Sequence, residues 1–218
     1  MLPVLSRLFR LLPLLTALLL PATAAVAVSL NVTLTDQDGK AVDDAVVYVT
    51  SVNGQRAAAT PMQVTVDQIN EMFVPHVRAI TAGSSVNFPN SDHIRHHVYS
   101  FSEAKNFELP LYIGIPTEPV VFNKAGVVTL GCNIHDHMLG YVLVLDTPYF
   151  DEVTGGNATI ANLPAGQWTV EIWHPRLADE QTIQINVDAA TDTTLQQALE
   201  LRPERMVRRA PRRGSSRY

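Results

Sequence analysis

Gly131-Cys132-Asn133-Ile134-His135-Asp136-His137-Met138-Leu139-Gly140-Tyr141 contains the only cysteine of the 218-residue chain. A thiol, two imidazoles and a thioether lie within seven residues. Val127-Val128-Thr129-Leu130 precedes the stretch and Val142-Leu143-Val144-Leu145 follows it. Both flanks are short, apolar and rich in β-branched residues, so both read as strands. The donors therefore sit on a tight loop at one end of a sheet.

The same pattern extends in both directions. Leu30, Val32 and Leu34 alternate with polar residues, and Ala45 to Val49 is a second apolar run. Met62 to Val66, Phe73 to Pro75, Val77 to Thr81, Ser85 to Phe88, Val98 to Phe101 and Val120 to Phe122 continue the series. After Asp146 come Ala158 to Ala161, an alternating run from Trp168 to Trp173, and Ile183, Ile185 and Val187. Thr193 to Leu201 reads as a final strand, with a short helix as the alternative. Asp38-Gly39, Asn53-Gly54, Ala82-Gly83-Ser84 and Leu163-Pro164-Ala165-Gly166 punctuate the runs as turns. Residues 28–190 contain no convincing amphipathic helix. Short strands with regular turn signals predict an all-β sandwich architecture.

A soft thiolate with imidazoles and a weak thioether suits copper, which moves between two oxidation states in such a set. Zinc gains little from a thioether. A trigonal His2Cys site with an axial Met needs a second imidazole from elsewhere in the chain. His96-His97, which opens a strand after the polar loop Pro89-Asn90-Ser91-Asp92, is the richest source.

At this point the chain resembles the cupredoxins, the small blue-copper proteins of the plastocyanin and amicyanin kind. Three segments carry the resemblance: Phe73-Val74-Pro75, Gly83 to Asn90 with His96 six residues later, and Lys124-Ala125-Gly126 leading to Cys132-x2-His135-x2-Met138. The short ligand loop is of amicyanin-like length. Residues 61–146 also resemble methylamine-utilisation accessory proteins. The resemblance implies a Greek-key β-sandwich holding one copper ion on His96, Cys132, His135 and Met138. The chain departs from the family pattern at His97, where the family has Asn, and lacks a Pro before His135. Outside this segment, Asp38 to Val47 and Thr154 to Trp168 resemble the two halves of a carboxypeptidase-regulatory-like or transthyretin-like sandwich. That implies a copper domain, residues 58–146, inserted between residues 28–57 and 147–201 of a second small β-sandwich. Two consecutive domains are the alternative.

The other histidines receive plainer expectations. His97 adjoins His96 on a strand and so faces the opposite side. His137 is expected in solvent, and His76 and His93 are expected at the surface or in the core. His174 should end a strand. Four extra imidazoles near one site also leave open a second, weaker metal site.

Both termini differ from the body. Arg7 and Arg10, the apolar run from Leu11 to Leu20 and Ala25-Val26-Ala27 compose a secretory leader, residues 1–27, with Ala22-Thr23-Ala24 as the other cleavage site. Export to the periplasm follows, and no later segment is apolar enough to span a bilayer. Residues 202–218 hold seven arginines and one glutamate and read as a disordered basic tail. Removing these cations from a net charge of −5 leaves a strongly acidic body, which argues against nucleic acid as a partner. One cysteine in an exported chain makes no internal disulfide, and a free thiol there is a liability unless buried or metal-bound.

No nucleophile triad, carboxylate pair or phosphate loop stands out, so the chain reads as a non-enzyme. The leading expectation is a periplasmic one-electron carrier serving a redox protein partner. A copper-binding accessory protein of an amine-oxidising system and a β-sandwich module with a structural metal are the alternatives.

Overall fold

The structure is a computed structural model that describes residues 27–116, 118–179 and 182–203. These form seventeen strands and no helix. In chain order they are β1 Ala27–Asp36, β2 Val46–Val52, β3 Gln63–Thr65, β4 Asp67–Ile69, β5 Met72–Val74, β6 Val77–Thr81, β7 Ser84–Asn87, β8 His96–Ser102 and β9 Lys105–Tyr112. Then follow β10 Val120–Phe122, β11 Gly126–Gly131, β12 Leu139–Leu145, β13 Phe150–Glu152, β14 Asn157–Pro164, β15 Gly166–Trp173, β16 Ile183–Ala189 and β17 Thr193–Leu199.

The middle of the chain builds one sandwich. A five-stranded sheet, β6-β12-β11-β8-β9, packs against a three-stranded sheet, β10-β7-β3. Alternation along each strand turns Val98, Val128, Leu130, Val142 and Val144 inward, where they meet Phe88, Phe122 and Ile80 in one buried cluster. Cys132 and Met138 belong to that cluster, so the ligand loop closes the end of the core.

The two ends of the chain pair with each other. β1 lies between antiparallel β14 and parallel β17, and β2 lies between antiparallel β13 and β15, with β16 beyond. Their inner faces supply a second core, from Leu30, Leu34, Val47 and Val49 to Ile160, Leu163, Trp168 and Ile172. No residue between 50 and 152 is among its buried members.

The two sandwiches share a face. Val77, Ala79, Leu143 and Leu145 point out of the five-stranded sheet and pack on Val46, Tyr48 and Trp173. Glu152 adds polar ties, accepting the Ala79 N–H at 2.7 Å and pairing with Arg78 at 3.2 Å. Thr147 hydroxyl donates to the Val49 carbonyl at 2.6 Å where the chain passes from one unit to the other.

Three boundaries differ from the sequence reading, and three strands, β4, β9 and β13, lie where it placed none. Ala27, placed last in the leader, opens β1 opposite Pro164; the rest of the leader, residues 1–26, lies outside the described residues. Arg202 is hydrogen-bonded to the Arg176 carbonyl at 2.8 Å, so paired chain runs past residue 201. The remainder of the basic tail, residues 204–218, also lies outside the described residues. β14 runs from Asn157 through Pro164, longer than Ala158 to Ala161, because Pro164 stands at its end where no ladder N–H is needed. β9 was not anticipated. It is an edge strand in which Phe107, Leu109 and Leu111 alternate, but Pro110 within the run, tolerated at an edge, argues against a strand in the sequence.

Among the described residues no helix is long and apolar enough to cross a membrane.

Candidate metal centre

The ligand loop is the connection between two neighbouring antiparallel strands. β11 and β12 pair down to Gly131 opposite Leu139, and residues 132–138 bridge that last pair. The Met138 N–H donates to the His135 carbonyl at 2.9 Å and tightens the loop. Cys132 and Met138 are thereby folded into the core, at 4% and 2% exposure, while His135 stays half-buried at the end of the sandwich. Gly131 is needed for packing: a Cβ there would lie 2.8 Å from the Tyr99 ring, which covers this backbone from β8.

His96 arrives from the other side. It is the first residue of β8 and is fully buried. Asn90 shapes the loop that delivers it. This buried amide donates to the carbonyls of Ile94 at 2.9 Å and Tyr112 at 2.8 Å, and accepts from the Asp92 N–H at 3.0 Å. An Asx turn of this kind fixes a loop without regular secondary structure.

The structure brings three of the four sequence-derived ligands together as possible donors to one ion. The ligand atoms of His96, Cys132 and His135 all lie within 4.8 Å of one another. Both imidazoles turn Nδ1 toward the sulfur, at 4.0 Å for His96 and 3.8 Å for His135. Metal–nitrogen and metal–sulfur bonds of about 2.0 and 2.3 Å, set at a trigonal angle, put nitrogen and sulfur about 3.7 Å apart. The observed spacings match that arrangement, so the donor set fits a single metal ion. Met138 belongs to the same buried core cluster as Cys132.

Asp92 is the residue that sequence reasoning missed. Its Oδ2 is 2.7 Å from His96 Nε2, so the ring nitrogen facing away from the sulfur is held by a carboxylate. Asp92 also accepts the N–H groups of Asn70 at 2.6 Å and Glu71 at 2.9 Å. Those two residues form the two-residue turn between β4 and β5, both with positive φ, as a type I′ hairpin turn requires. Burial works to raise the Asp92 carboxyl, but the Glu71 N–H, the His96 ring and the Asn70 N–H outweigh it and hold it below the ordinary carboxylate value. The Asn90-x-Asp92 spacing was the available signal, as an Asx turn aimed at the loop.

The remaining histidines lie outside the three-residue cluster. His97 is buried, with Nε2 2.7 Å from Glu108 on β9 and its ring against Tyr99; its Nδ1 has no hydrogen-bond partner. His137 corrects the expectation of a solvent position. It is half-buried, 3.2 Å from Glu71, although the angle is not that of a hydrogen bond. The β4–β5 turn carrying Glu71 folds over this side of the loop and shields it. His93 is exposed, and His76 is half-buried edge-on to Tyr141. His174 follows the end of β15 and is buried. Burial first, and Arg176 nearby second, push its pKa down to about 4, and its Nδ1 accepts the Arg176 N–H at 2.9 Å.

No protein-family model matches the chain, and no curated protein matches it. Solved structures do. A Cu-containing nitrite reductase from Thermus scotoductus SA-01 is 26% identical over 42% of this chain, with a TM-score of 0.36. The chain spans a quarter of that protein's length, 25%. A purple cupredoxin from Nitrosopumilus maritimus is 24% identical over 38% of this chain and 98% of its own, with a TM-score of 0.33. An oxidized amicyanin variant is 17% identical over 47% of this chain and all of its own, with a TM-score of 0.35. Each of these likenesses covers less than half of this all-β chain.

Proposed function

We propose that the protein is an exported type 1 copper protein that carries single electrons, with copper held by His96, Cys132, His135 and Met138. The observation that carries this reading is the pair of Nδ1 atoms presented to the Cys132 sulfur at 4.0 and 3.8 Å. A thiolate and two imidazoles in one plane, with a thioether available from the same loop, is the ligand set of blue-copper electron-transfer sites. Copper supplies the one-electron couple there.

The residues contribute rigidity and exclusion of water. His96 is fixed by Asp92, and Cys132 and Met138 are packed among core side chains. Little of this frame has to move when the charge at its centre changes by one, which favours electron exchange over substrate turnover. His135 is the partly exposed member, on a loop with exposed Ile134, and offers the shortest way from the centre to a redox protein partner. The leader-like N-terminus supports a periplasmic setting.

Electrochemistry on the copper-loaded protein tests the reading. A reversible one-electron couple is the expected result. Tight Cu(I) binding without a reversible couple would instead make the chain a copper-binding accessory protein, for which the resemblance to methylamine-utilisation proteins names a setting.

A further inference from the structure

A cavity shares no lining residue with the ligand loop. It is a cleft of about 380 Å³ between the two sandwiches, within the size range of small-molecule sites, and such sites favour domain interfaces. Trp173, Leu143 and Val127 supply apolar wall, and Tyr48 and Glu171 supply the polar floor. Trp173 and Tyr48 are both more than nine-tenths buried.

Glu171 is unusual in its company. Tyr48 donates to its Oε2 at 2.9 Å. Its other donors stand further off, with the Thr182 hydroxyl and the Gln184 amide at 3.3 Å and the Thr50 hydroxyl at 3.4 Å. All four are neutral, and among the described residues no lysine or arginine pairs with it. Good bonds to a carboxylate are shorter than 3.3 Å, so much of its charge is left unmatched. Burial, and then Glu171, keep the Tyr48 phenol protonated, so it stays a donor to this carboxyl group. Exposed Arg56 and exposed Asp146 also line the cleft and offset one another in charge, which leaves the lining with a net single negative charge.

We propose that this cleft binds a small organic cation, a protonated alkylamine, with its ammonium on Glu171 and its carbon chain against Trp173 and Leu143. An ammonium answers the carboxylate directly, and an indole wall adds attraction for the cation. A neutral alcohol of the same length lacks the charge, and a carboxylate ligand meets Glu171 with the wrong sign. The site uses none of the metal-centre residues and stands independently of the copper reading.

The test is ligand titration of the intact protein followed by NMR of the two indole N–H resonances, in a diamagnetic state. Trp168 is the internal control, because its indole donates to the Pro164 carbonyl inside the other core. n-Butylammonium should shift the Trp173 resonance saturably and leave Trp168 in place. n-Butanol and butyrate should move neither. Glu171→Gln, which keeps an acceptor for Tyr48, should weaken butylammonium binding by about tenfold, the loss of one modest charge contact. The proposal fails if butylammonium at about 10 mM, beyond a millimolar Kd, leaves Trp173 unmoved. It fails equally if butanol or butyrate binds as well, or if folded Glu171→Gln binds with unchanged affinity. Should Glu171→Gln not fold, the comparison of the three ligands on the unaltered protein decides alone.

Discussion

Nε2 of His96 stands 2.7 Å from Oδ2 of Asp92, whose carboxylate also caps the turn between β4 and β5. One side chain thus joins the buried imidazole to a hairpin twenty-odd residues earlier in the chain. A carboxylate behind a ligand imidazole fixes its orientation and raises its basicity. The greater basicity stabilises the more highly charged metal ion. Asp92→Asn should therefore raise the reduction potential of the copper-loaded protein while the site survives. Asp92→Ala should in addition weaken copper binding by about 10- to 100-fold. Electrochemistry and competition titration read the two effects. An unchanged potential in Asp92→Asn would remove Asp92 from the account.

Adjacent histidines should behave differently. His96 points at Cys132, whereas His97 is bound to Glu108. His96→Ala should abolish copper binding. His97→Ala should keep the copper spectrum and lower stability by about 1–2 kcal/mol, through the lost contact and the hole left beneath β9. Thermal melts and metal titrations of both variants check this. Loss of copper binding in His97→Ala alone would show that β8 was assigned one residue out of register.

His174 predicts a pH dependence of stability. Its pKa is about 4 in the folded protein, against an ordinary value near 6.5. Between those values the unfolded chain binds a proton that the folded chain refuses, so stability falls as pH drops from about 6.5 to about 4. About 2 kcal/mol is a reasonable size after allowance for solvent screening. His174→Asn should flatten this part of the profile. Urea unfolding of both proteins across that range provides the measurement, and an equally steep profile in His174→Asn would assign the effect elsewhere.

The pairing of β1 and β2 with strands beyond residue 149 bears on how the chain divides. We propose that residues 58–146 are inserted into a sandwich made by the two flanks. A fragment of residues 147–201 then lacks β1 and β2, cannot fill the core around Leu30, Leu34, Val47 and Val49, and should stay unfolded. A fragment of residues 58–147 should fold and bind copper, although bare Leu143 and Leu145 will promote self-association. Circular dichroism and amide exchange on both fragments test this, and a cooperative fold for 147–201 would overturn it.

Much of the local structure was legible because its signals are local. Alternating apolar residues mark β1 and β15, short apolar runs mark β11 and β12, and turn residues mark most of the corners. Cys132, His135 and Met138 could be grouped by eye, since one loop carries them. What escaped notice depends on distant chain. Asp92 reaches His96 through an irregular loop that no periodicity describes. His137 is shielded by a hairpin more than sixty residues away, and nothing near it in sequence announces this. β9 was invisible because an edge strand tolerates Pro110, which would be out of place in a central one. The cleft at Glu171 needs two sandwiches to be placed face to face, which no single stretch of sequence encodes.

The visible absorption spectrum of the protein loaded with Cu(II), followed through reduction and reoxidation, tests the central claim most directly. The Cys132 thiolate bound to Cu(II) should give an intense charge-transfer colour that bleaches on reduction and returns on reoxidation. Cys132→Ser should fold, as judged by circular dichroism, and show no such band. A protein that takes up Cu(II) without the intense band, or a Cys132→Ser variant that retains it, would contradict the account.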